Sequence, residues 1–126
     1  ELNEDVANTA IKYASIKTNS IVNEYTAGPL FFSDERGCHE WFIEFKKTPK
    51  DVEKFTDILD EKLKKLNSDY HIKRNKDILL KKPCVTILKT HFFYNFLKNK
   101  NKIGGQNKIQ RLHNNRFFIE ELIKQS

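Results

Sequence analysis

From Gly37 to Lys47 the chain reads GCHEWFIEFKK. His39, Trp41, Ile43 and Phe45 alternate with Glu40, Phe42, Glu44 and Lys46. A helix repeats its faces every three or four residues, so strict alternation fits a strand and not a helix. The pattern predicts a half-buried β-strand that some other layer must cover. Ser33-Asp34-Glu35-Arg36-Gly37 reads as the turn before it, and Leu30, Phe31 and Phe32 as the start of the partner strand of a hairpin. Further upstream, SIVNEYT from Ser20 to Thr26 is β-branched and aromatic, which predicts another strand, broken at Gly28-Pro29.

The cover has to come from helices. Asn3 is a capping residue followed by Glu4 and Asp5, acids where the helix dipole favours them. Val6, Ala7, Ala10, Ile11 and Ala14 then form one stripe of mostly small side chains, suited to close packing. Thr48-Pro49 reads as the cap and first residue of a second helix, with Val52, Phe55, Leu59, Leu63 and Leu66 on its buried face. Asp60 with Lys64 and Glu61 with Lys65 have the spacing of ion pairs on its wet side. Ser68 to Asp77 is polar with a turn or two of helix, and Pro83 to Lys89 is a strand. Thr90 is placed to cap a helix bearing Phe92, Phe93, Phe96 and Leu97, and Asn115 one bearing Phe118, Ile119, Leu122 and Ile123. The order implies an α+β fold, a small mixed or antiparallel sheet of about four strands flanked by helices.

The 126 residues are one domain's worth of chain. No apolar run has the length of a transmembrane helix and no signal peptide opens the chain, which points to a cytoplasmic protein without a membrane partner. The chain holds no Met and begins at Glu1, as expected of a processed product or a piece of a larger protein. Cys38 and Cys84 have neither metal-ligand spacing nor a disulfide framework, so free thiols are the expectation; both lie in strand-like segments, which leaves a pair across a sheet as the alternative. The formal net charge is +6, and between His71 and Lys102 Asp77 is the sole acid among many lysines and Arg74. Such a stretch suits nucleic acid, nucleotide phosphates, an anionic membrane, an acidic partner, or solvent alone.

Catalytic patterns are scarce. There is no Walker-type loop, no carboxylate pair placed as acid and base, and no nucleophile with a base at usable spacing. His39 shares a strand face with Trp41, which favours a packed histidine, and His113 is a candidate acid or base only by type. Phe31, Phe32, Trp41 and Phe45 among lysines suit base stacking, but the RNP1 pattern is absent and a core face explains them better. One stretch stands apart: GGQNKIQRLHNN, from Gly104 to Asn115. Gly104 and Gly105 allow backbone conformations closed to other residues, and Gln106 offers hydrogen bonds without a core. Lys108 then stands on a polar segment as a point charge suited to phosphate. Arg111 has the fork geometry for a carboxylate or phosphate, or for a structural pair.

Several segments together resemble the C-terminal domain of the Gretchen Hagen (auxin-responsive promoter) family of acyl-acid amido synthetases, in its bacterial form. They are GCHEWFIEF at Gly37 to Phe45, LDEKLKKLNSDYHIKR at Leu59 to Arg74, and GGQNKIQRLHNNR at Gly104 to Arg116. The opening ELNEDVANTAIKYASIKTNSIVNEYTAGP is similar as well, so the resemblance spans essentially the whole chain. It implies that residues 1–126 are the mobile C-terminal domain of a larger two-domain adenylating enzyme. In that family the N-terminal domain of the same chain binds ATP, magnesium and the acyl acid. The acid attacks the α-phosphorus, and an amine or amino acid then attacks the acyl-adenylate to form an amide. The small domain closes over the site and brings a lysine to the phosphates.

By this resemblance Lys108 is that catalytic lysine, with Gly104, Gly105, Gln106 and Arg111 as substrate- or phosphate-loop candidates and no metal ligands. Gln110 stands where the family usually has proline. Asn67, Asp69, Tyr70, Lys73 and Arg74 match the family too and imply a fold or interface role. The resemblance also explains why no complete active site is visible, and it implies that the piece is inactive alone. A stand-alone basic nucleic-acid-binding module is the alternative, followed by a protein-interaction domain that docks on an acidic partner; under the leading reading nucleic acid is not an expected partner.

Overall fold

A computed structural model of the chain describes residues 2–34, 36–77, 79–100 and 108–126. The elements run α1 (Glu4–Lys17), β1 (Ile21–Phe31), β2 (Gly37–Lys47), α2 (Val52–Leu66), α3 (Ser68–Arg74) with a 3-10 turn at Asn75–Asp77, β3 (Cys84–Leu88), α4 (Phe92–Asn99) and α5 (Phe117–Gln125). The sheet order is β1-β2-β3. β1 and β2 are antiparallel, joined through the expected hairpin, and β3 adds to β2 in parallel, so the sheet is mixed. A parallel return needs a long crossover, and α2 and α3 supply it.

The α+β class holds, with three strands among the described residues where about four were expected. The difference lies at Gly28-Pro29, which does not break the chain: β1 runs through it in register, Gly28 opposite Glu40 and Pro29 opposite His39. Pro29 is tolerated because its N and O lie on the outer edge of β1, two residues beyond Ala27, whose N and O also turn outward. Gly28 is explained by packing. A Cβ there would lie 2.9 Å from Cγ1 of Ile119, so its bare backbone lets α5 seat on the sheet.

β2 is not half-buried but buried on both faces. Trp41, Ile43 and Phe45 meet α1 and α2, with Ala7, Ala10, Ile11, Ala14, Phe55, Leu59 and Leu63 in the same cluster. The small stripe of α1 is the expected close contact: Ala7, Ala10 and Ala14 expose nothing. On the opposite face Phe42 joins Leu88, Phe92, Phe93, Phe96, Ile109, Ile119 and Leu122. The sheet is thus the middle of three layers. Two opposed helical layers explain why Phe42, on the face expected to be wet, is only 3% exposed.

Caps differ from expectation in instructive ways. Asn3 caps α1 as read, its Oδ1 accepting the Val6 N–H at 2.9 Å. α2 is capped by Asp51, which accepts the Lys54 N–H at 3.1 Å, while Thr48 and buried Pro49 precede the helix. Asp60 does not face water. It is 4% exposed and receives Nε and Nη2 of Arg74 at 2.9 and 2.6 Å and the Tyr70 hydroxyl at 2.6 Å. Lys64 still approaches it, at 3.7 Å, and Glu61 pairs with Lys64 at 3.1 Å. Leu66, expected inside, is 38% exposed at the helix end. Asn67 starts α3 by accepting the Tyr70 N–H at 2.8 Å. Asn115 lies one residue before the α5 cap position, yet its Oδ1 accepts the Phe117 N–H at 3.0 Å.

The start of α4 is the most informative. Its cap position is His91 in a left-handed conformation, φ 68°, not Thr90, and His91 makes no capping bond with its side chain. The cap comes from the sheet. Glu44 of β2, 2% exposed, accepts the Phe93 N–H at 3.0 Å and the His91 N–H at 3.2 Å. The Asn23 amide donates to the same carboxylate at 2.8 Å. A carboxylate satisfies free N–H groups and favours the positive end of the helix. Glu44→Ala leaves these buried donors unpaired and should destabilise the protein by about 2–4 kcal/mol. Glu44→Gln, which keeps an acceptor oxygen, should cost less. Urea unfolding of the two variants measures this, and unchanged midpoints would remove the capping role.

Candidate functional site

The site expectation falls on the segment before α5. Gly104, Gly105 and Gln106 lie outside the described residues, and the description begins at Lys108. From there the backbone lies along the outer edge of β1. The Ala27 N–H donates to Arg111 O at 2.8 Å and the His113 N–H to Ala27 O at 3.0 Å, an isolated parallel bridge between Ala27 and Leu112. The Thr26 hydroxyl adds a bond to Gln110 O at 2.8 Å. Ile109 drops into the α4–α5 cluster and is 8% exposed. The amide of Gln110, where proline was expected, donates to Leu112 O at 2.7 Å, tying the segment with a side chain where proline would fix φ.

Arg111 is committed within the fold. Its Nε donates to Glu24 at 2.8 Å and its Nη1 to Asn8 at 3.0 Å, and its guanidinium lies 5.0 Å from the centre of the Tyr25 ring. The Tyr25 hydroxyl shares Asn8 as acceptor. Burial pushes the Tyr25 hydroxyl well above the ordinary tyrosine value, so it remains a donor. One guanidinium therefore joins α1, β1 and the segment carrying Lys108. Arg116 does the same further on, reaching Glu40 at 2.6 Å and Pro29 O at 3.2 Å.

Lys108 is exposed and, among the described residues, has no hydrogen-bond or ion-pair partner. It borders a groove of about 510 Å³ with Glu4, Asn23, Glu24, Phe93, Tyr94, Leu97, Ile109 and Arg111. A β-bulge shapes one wall. The register slips between Val22 and Glu24, so Asn23 and Glu24 both reach the groove instead of alternating. The N-terminal turn of α4, fixed by Glu44, supplies Phe93 and Tyr94 to the other wall.

Across the bridged segment lies a larger groove of about 590 Å³, which Gln110, Leu112 and His113 border together with His39, Trp41 and Lys73. His39 is packed, stacked on Tyr70 with centroids 5.7 Å apart. Its Nδ1 and the Trp41 Nε1 are buried without hydrogen-bond partners among the described residues. Burial lowers His113 below the ordinary imidazole value, and its ring stacks on Phe118 at 4.5 Å. Neither histidine faces the Lys108 groove. Among the described residues no group of three or more His, Cys, Asp or Glu is placed to hold a metal ion. No described helix is long and apolar enough to cross a membrane.

A small mixed sheet between two helical layers, with an edge segment presenting one unpaired lysine, is the setting for the comparison with known proteins. Residues 4–117 match the sequence profile of the GH3 family C-terminal domain. The chain belongs to this family. Twenty solved chains share the GH3 domain's fold. AtGH3.15 acyl acid amido synthetase in complex with 2,4-DB superposes with a TM-score of 0.77 at 17% identity, covering 99% of this chain and 24% of that one. GH3.15 acyl acid amido synthetase gives 0.70 at 16% identity, covering 97% and 23%. At these identities the likeness speaks for the fold. The GH3 domain described here spans about a quarter of the length of either protein. No curated protein matches the chain.

What the sequence did not reveal in the GH3 domain are Asn8, Asn23, Glu24 and Glu44, the residues that set the walls of the groove. The one available signal was Glu44, an acid two residues from Phe42 on the same strand face. His39 carries a pH prediction. Burial, with the Lys73 ammonium nearby, lowers it to about 4. The unfolded chain binds a proton at about pH 6.5, which the folded state refuses. Stability should therefore be full above that pH and fall as the pH drops toward the folded value. In His39→Phe, which keeps a ring against Tyr70, the decline across this window should flatten. An equally steep decline in urea midpoints would assign it to other groups.

Proposed function

We propose that residues 1–126 are the C-terminal domain of an ATP-dependent acyl-acid amido synthetase, inactive by itself, which supplies Lys108 to the adenylation step. Family membership supports the enzyme class. The observation that carries the residue is the contrast along a few positions: Ile109, Gln110, Arg111 and Leu112 are each tied to the fold, while Lys108 is exposed and unpaired beside a groove.

In the reaction a substrate carboxylate oxygen attacks the α-phosphorus of ATP. The bond to the bridging oxygen breaks and pyrophosphate leaves, giving an acyl-adenylate. An amine then attacks the acyl carbon, loses a proton and expels AMP to form the amide. Charge builds on the phosphoryl oxygens in the first transition state, and a lysine ammonium brought there stabilises it. Lys108 fits because no carboxylate of the described residues holds it. Arg111 is assigned a positioning role: its bonds to Glu24 and Asn8 fix the segment from which Lys108 projects. Gly104, Gly105 and Gln106 complete the proposed phosphate loop. Family membership supports assigning ATP, magnesium, the carboxylic acid and the amine to an N-terminal adenylation domain of the same chain. No step here is routed through the metal. The proposed compartment is the cytoplasm, where ATP is abundant.

The test is ATP–pyrophosphate exchange by the full-length enzyme across a panel of carboxylic acids. Lys108→Ala should lower exchange by about 10²- to 10³-fold while ATP still binds. Arg111→Ala, which loosens the segment but keeps the lysine, should give a smaller loss. Equal exchange by the enzyme and Lys108→Ala would make Lys108 a surface residue. No exchange with any acid would sink the enzymatic reading itself.

A further inference from the structure

The two cysteines take no part in that reading, and their geometry stands independently of it. Cys38 is the second residue of β2 and Cys84 the first of β3. Cys84 pairs with Glu40, and alternation puts Cys38, two residues earlier, on the same face. Their sulfurs are 3.5 Å apart. Cys38 is 2% exposed and Cys84 is open to solvent, and neither is in a disulfide. An exposed thiol against a buried one is the arrangement of an attacked and a resolving cysteine.

We propose that Cys38 and Cys84 are an oxidation site: peroxide converts them to an intrachain disulfide that ties the start of β3 to β2. The exposed Cys84 sulfur attacks one peroxide oxygen, the O–O bond breaks, and the other oxygen leaves with the thiol proton as water. Cys84 is then a sulfenic acid, oxidised by two electrons. The Cys38 sulfur attacks the Cys84 sulfur, the S–O bond breaks, and hydroxide takes the Cys38 proton as a second water. Two thiols and one hydrogen peroxide give one disulfide and two waters.

Order follows from environment. Burial, and then the neighbouring Cys84, push the Cys38 thiol up to about 12, so it stays protonated and is a poor first attacker. The sulfurs must close from contact to about 2.05 Å, the length of a disulfide bond. Cys84 can supply that movement, because it opens its strand after the irregular Lys81–Pro83 segment. The cross-link closes a loop containing α2 and α3, so it should stabilise the pairing of β3 with β2.

The full-length protein, reduced and then treated with hydrogen peroxide, tests this by peptide mapping without reductant. The expected product is a peptide pair joined through Cys38 and Cys84, released by dithiothreitol, with a higher urea midpoint before release. Cys38→Ser should stop at a Cys84 sulfenic acid captured by dimedone, which also shows that the exposed thiol reacts first. Over-oxidised Cys84 beside a free Cys38, disulfides only between molecules, or two thiols untouched by peroxide would each overturn the proposal. Pyrophosphate exchange is not the readout, so failure here leaves the adenylation reading standing, and the converse holds.

Discussion

A single buried carboxylate holds the two halves of this domain in register. Glu44 sits in the central strand and accepts two backbone N–H groups from the start of α4 and the side-chain amide of the bulged Asn23 of β1. Burying a carboxylate costs several kcal/mol unless its oxygens are satisfied. Here the N-terminal end of a helix and a side-chain amide satisfy them. The same three bonds fix where α4 begins and how β1 bulges. Those two features are the walls of the Lys108 groove.

A second ionic junction places the lysine itself. The edge of β1 would otherwise be an open row of backbone groups. The Lys108–His113 segment covers part of it through Ala27, while Arg111 bridges to Glu24 and Asn8. Ile109 adds an apolar anchor on the α4–α5 side. Such a segment has little freedom from Ile109 onward, because backbone, side-chain and packing contacts all agree. Lys108 is the first described position not included in that agreement. The proposed role of Lys108 draws on this arrangement: a charge delivered from a fixed base can be placed reproducibly, as phosphoryl chemistry demands of a point charge.

The strands and helices were largely legible because their periodicities are strong: the alternation of β2, the small stripe of α1 and the Phe55, Leu59, Leu63 face of α2 all sit where the pattern puts them. What misled were residues whose role is tertiary. Gly28-Pro29 reads as a break, but the glycine answers to Ile119 and the proline to a sheet edge. Asp60 reads as a solvated partner for Lys64, but Arg74 and Tyr70 from α3 claim it. Thr90 reads as a cap, but Glu44 does that work from another element. Each depends on a partner from another element, which the periodicity of a single element does not reveal. At the proposed site, Lys108 is a candidate by type and family resemblance, whereas Asn8, Asn23 and Glu24 acquire meaning only when α1 and the β1 bulge are brought beside it.

The distribution of charge separates the domain reading from that of a basic binding module. The excess of cations between His71 and Lys102 suggests a continuous positive surface when read along the chain. In the fold several of those cations meet acids from elsewhere or within reach: Arg74 with Asp60, Lys73 with Asp69, Lys82 with Asp57, and Lys100 with Glu121. One of them, Arg74, is buried. Nucleic-acid affinity depends on many cations free to replace counterions along a phosphate track. Local pairing weakens that possibility without changing the net charge of +6. Lys108 is the opposite case: one ammonium without a described partner, beside a groove in which one lining carboxylate, Glu24, is engaged by Arg111. The Arg111–Glu24 pair ties the segment to β1 and does not include Lys108, which is what the proposed phosphate role requires.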